Sequence, residues 1–342
     1  MKKYKLPWRS LKLSLFSSIL TMSFTSTTTA QEVATVLADQ IEGKNVLITG
    51  TSINGIGFET ARVLAKYANL VIITGYNSER LTLSKEAIEK EVPGANIRSL
   101  VLDLSSRVAV RKAATEVNAY PEPIHVLINN AAAAVGKFKL TVDGLENQIA
   151  TDHINPFLFT KLLTPKLLAA LTSTYTPRVL FVSSGGHALV PGGVNLTTLA
   201  HPDPEKYAPY PTYWEAKSAN ILTAIELSKR AEGKINAYSL NPGLIFTNGF
   251  QKEDSKVELI AMGLILPDGS PNKEGWPWKT IPQGAATTVV TAFDPKLDDK
   301  SGSYLDDCVE ANDQIAPSSS DPETAAKLWE ITEEILGEAF VF

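Results

Sequence analysis

Residues 44–49 (KNVLIT) form a short β-rich apolar run that stops at a glycine. The stretch Gly50-Thr51-Ser52-Ile53-Asn54-Gly55-Ile56-Gly57 follows and opens into a helical pattern over residues 58–67. Strand, glycine turn and helix in that order is the context in which a glycine motif means dinucleotide binding. Glycines let the backbone come close to a pyrophosphate, and a helix N-terminus offers free N–H groups and the positive end of its dipole. Further β-rich runs recur at 70–74, 97–102, 125–128, 178–182 and 236–240, each followed by a helical segment. That alternation predicts an α/β protein with a doubly wound parallel sheet flanked by helices. No internal repeat or linker marks a second domain. The expectation is one domain over residues 34–342, with loops at about 185–211 and 248–281 that shape a substrate mouth.

Composition narrows the function. With 342 residues, 44% hydrophobic and 20% charged, the chain is ordinary for a globular protein with a sizeable core. A net charge of −5 gives no reason to expect a nucleic-acid partner. Cys308 stands alone, which excludes an intrachain disulfide or a multi-cysteine metal site; His125, His153, His187 and His201 lack ligand spacing, so no metal is expected. Residues 1–33 differ in character. Lys2, Lys3, Lys5, Arg9 and Lys12 precede an apolar stretch at 13–24, and the first acid is Glu32. The pattern suits a secretory signal or an organelle transit peptide; a disordered basic extension on a cytoplasmic enzyme, the favoured location, is the alternative. The apolar stretch is too short to span a bilayer.

Tyr213 is followed four residues later by Lys217, and it is the only one of ten tyrosines with a lysine at that offset. On a helix the two side chains share a face. An ammonium beside a phenol favours the phenolate, and a tyrosine so placed can exchange a proton with an alcohol or carbonyl.

Several further segments stand in order around that pair: TGTSINGIG (49–57), LDL (102–104), NNAA (129–132), TVDGLENQ (141–148), VSSGGH (182–187), YWEAK (213–217), NPGLIFT (241–247) and QGAATTV (283–289). Together they resemble the short-chain dehydrogenase/reductase superfamily, with a Rossmann-like fold, over residues 34–337. Within it they are most similar to the retinol-dehydrogenase-like branch and its fungal members.

The resemblance implies an NAD(P)-dependent oxidoreductase that interconverts an alcohol and its carbonyl. Gly50, Gly55, Ile56 and Gly57 would form the pyrophosphate turn, with four residues between the first two glycines where the family usually has three. Asp103 would accept from the adenine amino group; capping the following helix is its other role. Asn130 and Ala132 would border the nicotinamide ribose, and Ile245 and Thr247 would hold the carboxamide. Lys161 is a further cofactor contact or a lysine that simply faces water. Thr74-Gly75-Tyr76-Asn77 carries no acid to repel a 2′-phosphate, and Arg80 lies close by, so NADP is favoured while NAD stays compatible. Ser184 would hold the substrate oxygen, Tyr213 would transfer the proton, and Lys217 would bind the ribose hydroxyls and tune Tyr213. Met262, Ile265, Trp276 and Trp278 suit either an apolar pocket for a hydrophobic substrate or a plain core. Relatives commonly form dimers or tetramers.

One departure matters. Relatives carry asparagine where this chain has Asp152, at the position that helps anchor a water linking the lysine to solvent. A carboxylate there raises the lysine pKa and opposes phenolate formation, moving activity to higher pH. Asn155, three residues on, is expected on the same helical face as a partial substitute. Pro156 offers no N–H to the Asp152 carbonyl, which leaves that carbonyl for water. If Asp152 disables turnover, the chain is instead a dinucleotide-binding sensor or scaffold.

Overall fold

The computed structural model describes residues 23–190 and 192–342. Ten strands occur among them: β1 Asn45–Ile48, β2 Leu70–Gly75, β3 Ile97–Val101, β4 Val126–Asn129, β5 Arg178–Val182, β6 Asn236–Leu240, β7 Leu244–Ile245, β8 Trp278–Lys279, β9 Tyr304–Asp306 and β10 Val309–Glu310. The principal helices are α1 Ala30–Val36, α2 Ile56–Leu64, α3 Ser78–Glu91, α4 Arg107–Asn118, α5 Asn155–Leu168, α6 Pro209–Arg230, α7 Glu253–Ala261, α8 Ile281–Phe293 and α9 Pro322–Leu336.

Eight strands form one sheet in the order β3-β2-β1-β4-β5-β6-β9-β10. All neighbours are parallel except the β9–β10 edge hairpin. The chain runs outward from β1 to β3 and then crosses back to β4, so the order reverses between β1 and β4. In open α/β sheets that reversal leaves a crevice at the carboxyl ends of the strands, where ligands bind.

Strands β1, β4, β5 and β6 are buried at every residue, as parallel strands covered on both faces must be. Alternate residues feed two cores. Leu47, Leu127, Val179, Phe181 and Ala237 pack with α4, α5, α6 and α9; Val46, Ile48, Val126, Ile128, Leu180 and Leu240 pack with α1, α2 and α8. Outside this sheet, β7 and β8 pair as a small parallel ribbon. Leu259, Leu264 and Ile265 form a separate small core beside it, against Tyr210, Phe246, Phe250 and Trp278. Trp276 and Trp278 donate their indole N–H groups to the carbonyls of Gly263 and Asn272, so both are braced within this segment.

The ordered unit starts earlier than residue 34. Thr29 caps α1 through a reciprocal box with Glu32, and Ala30 and Val33 are fully buried as α1 packs on α8 and α2. The boundary drawn at 33/34 therefore falls inside a helix. A cleavage just before Gln31 would remove the cap. The basic head and most of the apolar stretch lie outside the described residues. Among the described residues no helix is long and apolar enough to cross a membrane, and no His, Cys, Asp and Glu group is arranged to hold a metal.

Candidate active site

The glycine turn joins β1 to α2. Gly50 has φ +72°, and a Cβ there would lie 2.7 Å from the Ala131 Cα, so both backbone shape and space require glycine. Gly57 approaches Asn130 and the Gly50 carbonyl, where a Cβ would lie 2.5 Å from that oxygen. The additional residue of this long turn is accommodated by Asn54 at φ +62°, a left-handed conformation that asparagine tolerates. Asn130 braces the turn: its amide donates to the Thr49 and Gly50 carbonyls at 2.8 and 3.0 Å. Gly55 caps α2 without a side-chain hydrogen bond, whereas Thr29, Asn77, Ser106 and Asp321 fill the caps of α1, α3, α4 and α9. The first N–H groups of α2, beginning at Ile56, are thus left for an anion, which fits a dinucleotide pyrophosphate.

At the end of β2 a small recess is lined by Thr51, Ser52, Gly75, Tyr76, Asn77 and Arg80. Asp103, two residues past β3, accepts from the backbone N–H and hydroxyl of Ser105 at 2.8 and 2.7 Å. Ile245 ends β7 and packs against Gly284 of α8, and Thr247 follows it. Asn248 next reaches across the cleft to the Ile53 carbonyl of the glycine turn at 2.7 Å.

Tyr213 and Lys217 lie on α6, which starts with Pro209 at its first turn and is buried from Ala216 to Ala224 between the sheet and α9. Lys217 is only 2% exposed. Its ammonium donates to the Val182 carbonyl at 3.2 Å, lies 3.2 Å from Asp152 Oδ2, and stands 5.4 Å from the centre of the Tyr213 ring. Ser184 Oγ accepts from the Gly186 N–H at 3.1 Å, which leaves its own proton free to donate. The Trp214 indole packs edge-on against Gly186, so the serine turn abuts the first turns of α6 beside Tyr213. Ser183 fastens the same junction by donating to the Lys217 carbonyl at 2.7 Å.

Asp152 is 1% exposed, and its Oδ1 accepts from the Ala133 N–H at 2.6 Å. Burial pushes the Asp152 carboxyl up, against the opposing pull of Lys217. For Lys217, burial disfavours the ammonium, but the Asp152 carboxylate and the neighbouring Tyr213 together outweigh it and hold the lysine above its ordinary value. The direction agrees with the one expected from the sequence.

Two expected participants point elsewhere. Asn155 gives its amide to the Leu104 carbonyl at 2.7 Å and does not substitute at the Lys217 site. The reason is local: Ala150–Ile154 is a π-helical turn in which the Asn155 N–H bonds five residues back to Ala150, so faces counted on α-helical spacing are rotated. Lys161 pairs with Glu338 at 2.6 Å, near the C-terminus. In the extra loop before α6, Tyr207 is pinned by its hydroxyl to the Gly136 carbonyl at 2.6 Å and receives the Gln148 amide at 2.9 Å.

A switch-point crevice, an uncapped helix behind a glycine turn, and a buried lysine beside a tyrosine define a dinucleotide-dependent oxidoreductase. The sequence comparisons carry this further. Residues 44–196 match the family described as short chain dehydrogenase. The chain is 36% identical over 317 residues to the chloroplastic short-chain dehydrogenase TIC 32 A of Brassica napus, covering 90% of this chain and 92% of the relative. It is 33% identical over 311 residues to the short-chain dehydrogenase/reductase prx1 of Penicillium rubens, covering 87% and 86%. Retinol dehydrogenase 12 of Mus musculus is 30% identical over 299 residues, covering 87% and 88%. Among solved structures, a protein from Mycobacterium paratuberculosis superposes with a TM-score of 0.65 at 25% identity, covering 89% of this chain and 98% of that one. L-sorbose reductase from Gluconobacter frateurii, solved with NADPH and L-sorbose, shares the fold at TM-score 0.56 and 18% identity, covering 78% and 95%. The chain belongs to the short-chain dehydrogenase/reductase family, in its retinol-dehydrogenase-like branch. It is an oxidoreductase of the NAD(P)-binding kind.

Proposed function

We propose that this protein interconverts an alcohol and its carbonyl with NADP(H), using Tyr213 as the group that moves the proton. The observation that carries the reading is the placement of Lys217. Its ammonium is held on two sides by the Val182 carbonyl and Asp152, beside the Tyr213 ring, with the Ser184 turn packed against the neighbouring Trp214. In reduction, Tyr213 gives its phenolic proton to the substrate oxygen, and in oxidation it takes that proton back. Ser184, whose proton is free, donates a hydrogen bond to the same oxygen and steadies the charge that develops there. Lys217 keeps one of its three donors after its two anchors, so it can also donate to a ribose hydroxyl while its charge favours the phenolate. When bound, the nicotinamide supplies or accepts the hydride at the carbinol carbon.

Gly50, Gly55, Ile56 and Gly57 would cradle the pyrophosphate, Asp103 the adenine edge, and Ile245 and Thr247 the carboxamide. Arg80 forms no ion pair among the described residues and lines the recess after β2, which supports NADP(H) over NAD(H). Pro156 supplies no N–H to the Asp152 carbonyl, and the π-turn breaks the helical ladder at the same place. A proton relay through that carbonyl is thereby compatible with the changed side chain. A small hydrophobic alcohol or carbonyl compound fits the apolar character of residues 244–278. Homodimer or homotetramer assembly and a place in fungal specialised metabolism rest on the family resemblance alone.

Asp152 favours a second reading, a dinucleotide-binding sensor or scaffold with little turnover. The discriminating experiment follows NADPH oxidation with a panel of aldehydes and ketones in wild type and Tyr213→Phe. The proposal expects measurable wild-type turnover that falls at least about a hundredfold in the variant. Equal rates would remove Tyr213 from the mechanism, and binding of NADPH without turnover by wild type would favour the sensor.

A further inference from the structure

His187, three residues after Ser184, takes no part in the chemistry above, yet both of its ring nitrogens are engaged. Its Nδ1 lies 2.7 Å from the Ser184 carbonyl oxygen, which can only accept, so Nδ1 carries the proton. Its Nε2 is then the acceptor, and it receives the backbone N–H of Ala316 at 3.3 Å. The ring is 2% exposed and meets Tyr304 of β9 edge-on at 5.3 Å. The His187 backbone N–H also bonds the Ser184 carbonyl, at 3.1 Å. The peptide that carries Ser184 is therefore gripped twice by one residue, and that residue is fixed from a segment far away in sequence. The same segment reaches α6 as well: Ser319 and Ser218, the latter next to Lys217, share a hydroxyl contact at 2.7 Å.

We propose that His187 is a positioning residue, a clamp through which the segment 315–320 sets the orientation of the Ser184 hydroxyl relative to Tyr213. The inference rests on the role given to Ser184 above. The physical argument is one of tolerance. A short 3-10 turn, Gly185–Leu189, carries Ser184 at its start, and two of its residues are glycines with little conformational preference of their own. Nothing else among the described side chains bonds the Ser184 carbonyl. Without the imidazole, the turn keeps its fold but loses the restraint on the peptide plane that aims the hydroxyl. Displacements of about 1 Å at a reacting centre can cost about a hundredfold in rate.

Substitutions can separate the two bonds. In His187→Asn the side-chain amide falls near Nδ1 and keeps the donor to Ser184, whereas in His187→Gln it reaches toward Nε2 and does not. Ala316→Pro removes only the N–H that Nε2 accepts. Ala316 sits at φ −59°, ψ 140°, and Ile315 before it at φ −71°, ψ 129°, so proline fits the existing backbone. The assay measures kcat and KM for the carbonyl substrate, with NADPH affinity from fluorescence titration. His187→Asn keeps the Ser184 bond but, like Ala316→Pro, loses the bond to residue 316, so its kcat should fall to about the level of Ala316→Pro. His187→Gln and Ala316→Pro should lose about tenfold or more in kcat, with NADPH affinity unchanged within about twofold. Wild-type kcat in both of the latter would overturn the clamp, as would wild-type kcat in His187→Asn. If His187→Gln does not fold, Ala316→Pro alone decides. Ser184→Ala is the control for the underlying reading: if it turns over at the wild-type rate, the role of Ser184 fails, independently of the clamp.

Discussion

Replacing Asp152 by asparagine isolates the charge that distinguishes this chain. The carboxylate lies 3.2 Å from the Lys217 ammonium, and the ammonium stands 5.4 Å from the Tyr213 ring. The two separations together place the carboxylate no farther than about 9 Å from that ring. At an effective dielectric of about 20, a charge at that distance opposes the phenolate by about 2 kcal/mol. Partial exposure of Tyr213 to solvent screens part of this. Asp152→Asn should therefore move the tyrosine-dependent limb of the pH–rate profile toward acid. The amide can accept from Ala133 or from Lys217, but it cannot serve both as the carboxylate does. Turnover at the new optimum should stay within about tenfold of wild type, because the backbone carbonyl of residue 152 is untouched. The assay is kcat/KM for one carbonyl substrate, measured from pH 5 to pH 11 in both proteins. A limb that stays in place, or moves toward alkali, refutes the electrostatic argument. A gain of about a hundredfold refutes the carbonyl relay and marks the natural chain as catalytically impaired.

Three other perturbations follow from the geometry. His153 is buried between Thr332 and Thr223, and burial holds it near 3, below its ordinary 6.5. The unfolded chain takes that proton first, so stability present above pH 6.5 drains as pH falls toward 3. Denaturant titrations of His153→Gln should show an acid-side slope shallower by up to about 1.4 kcal/mol per pH unit; an unchanged slope would deny the buried neutral imidazole. Gly57→Ala forces a methyl against the Gly50 carbonyl and Asn130, and should cost about 1–3 kcal/mol of stability and at least about tenfold in NADPH affinity, read by melting and by fluorescence titration. Thr29→Ala removes the α1 cap and should lower unfolding free energy by about 1 kcal/mol; no change would mean that the helix start contributes nothing to the fold.

The central strands β1, β2, β4 and β5 were legible because they are apolar runs bounded by breakers, and burial on both faces demands such runs, whereas the edge strand β3 alternates buried and exposed residues. Strand β9 was not legible, because three residues ending in Asp306 show no period, and its place depends on pairing with β6 from far along the chain. The start of α1 was hidden by a threonine-rich stretch that reads like a processing signal; Thr29 turned out to be the cap. Tyr213 and Lys217 were legible from one helical turn. Asn155 was misread because a π-turn, invisible in residue types, rotates the face on which it lies. Lys161 failed for a related reason, since its partner Glu338 arrives from the chain terminus. His187 carried a weak signal, a histidine at a fixed offset from the serine in VSSGGH, and only its two partners give it meaning.

The ribbon β7–β8 and the small core of Leu259, Leu264 and Ile265 share no hydrogen-bonded pairing with the eight-stranded sheet. A substitution that loosens the small core of Leu259, Leu264 and Ile265 should open that unit locally before the global transition. Ile245, packed on Gly284 of α8, and Lys279, paired with Asp307 of the β9–β10 turn, tie the ribbon to the body, so sequence can drift at least cost in the small core beyond them, while β1, β4 and β5 hold the dinucleotide end constant. A lineage built this way can trial new substrates one loop at a time.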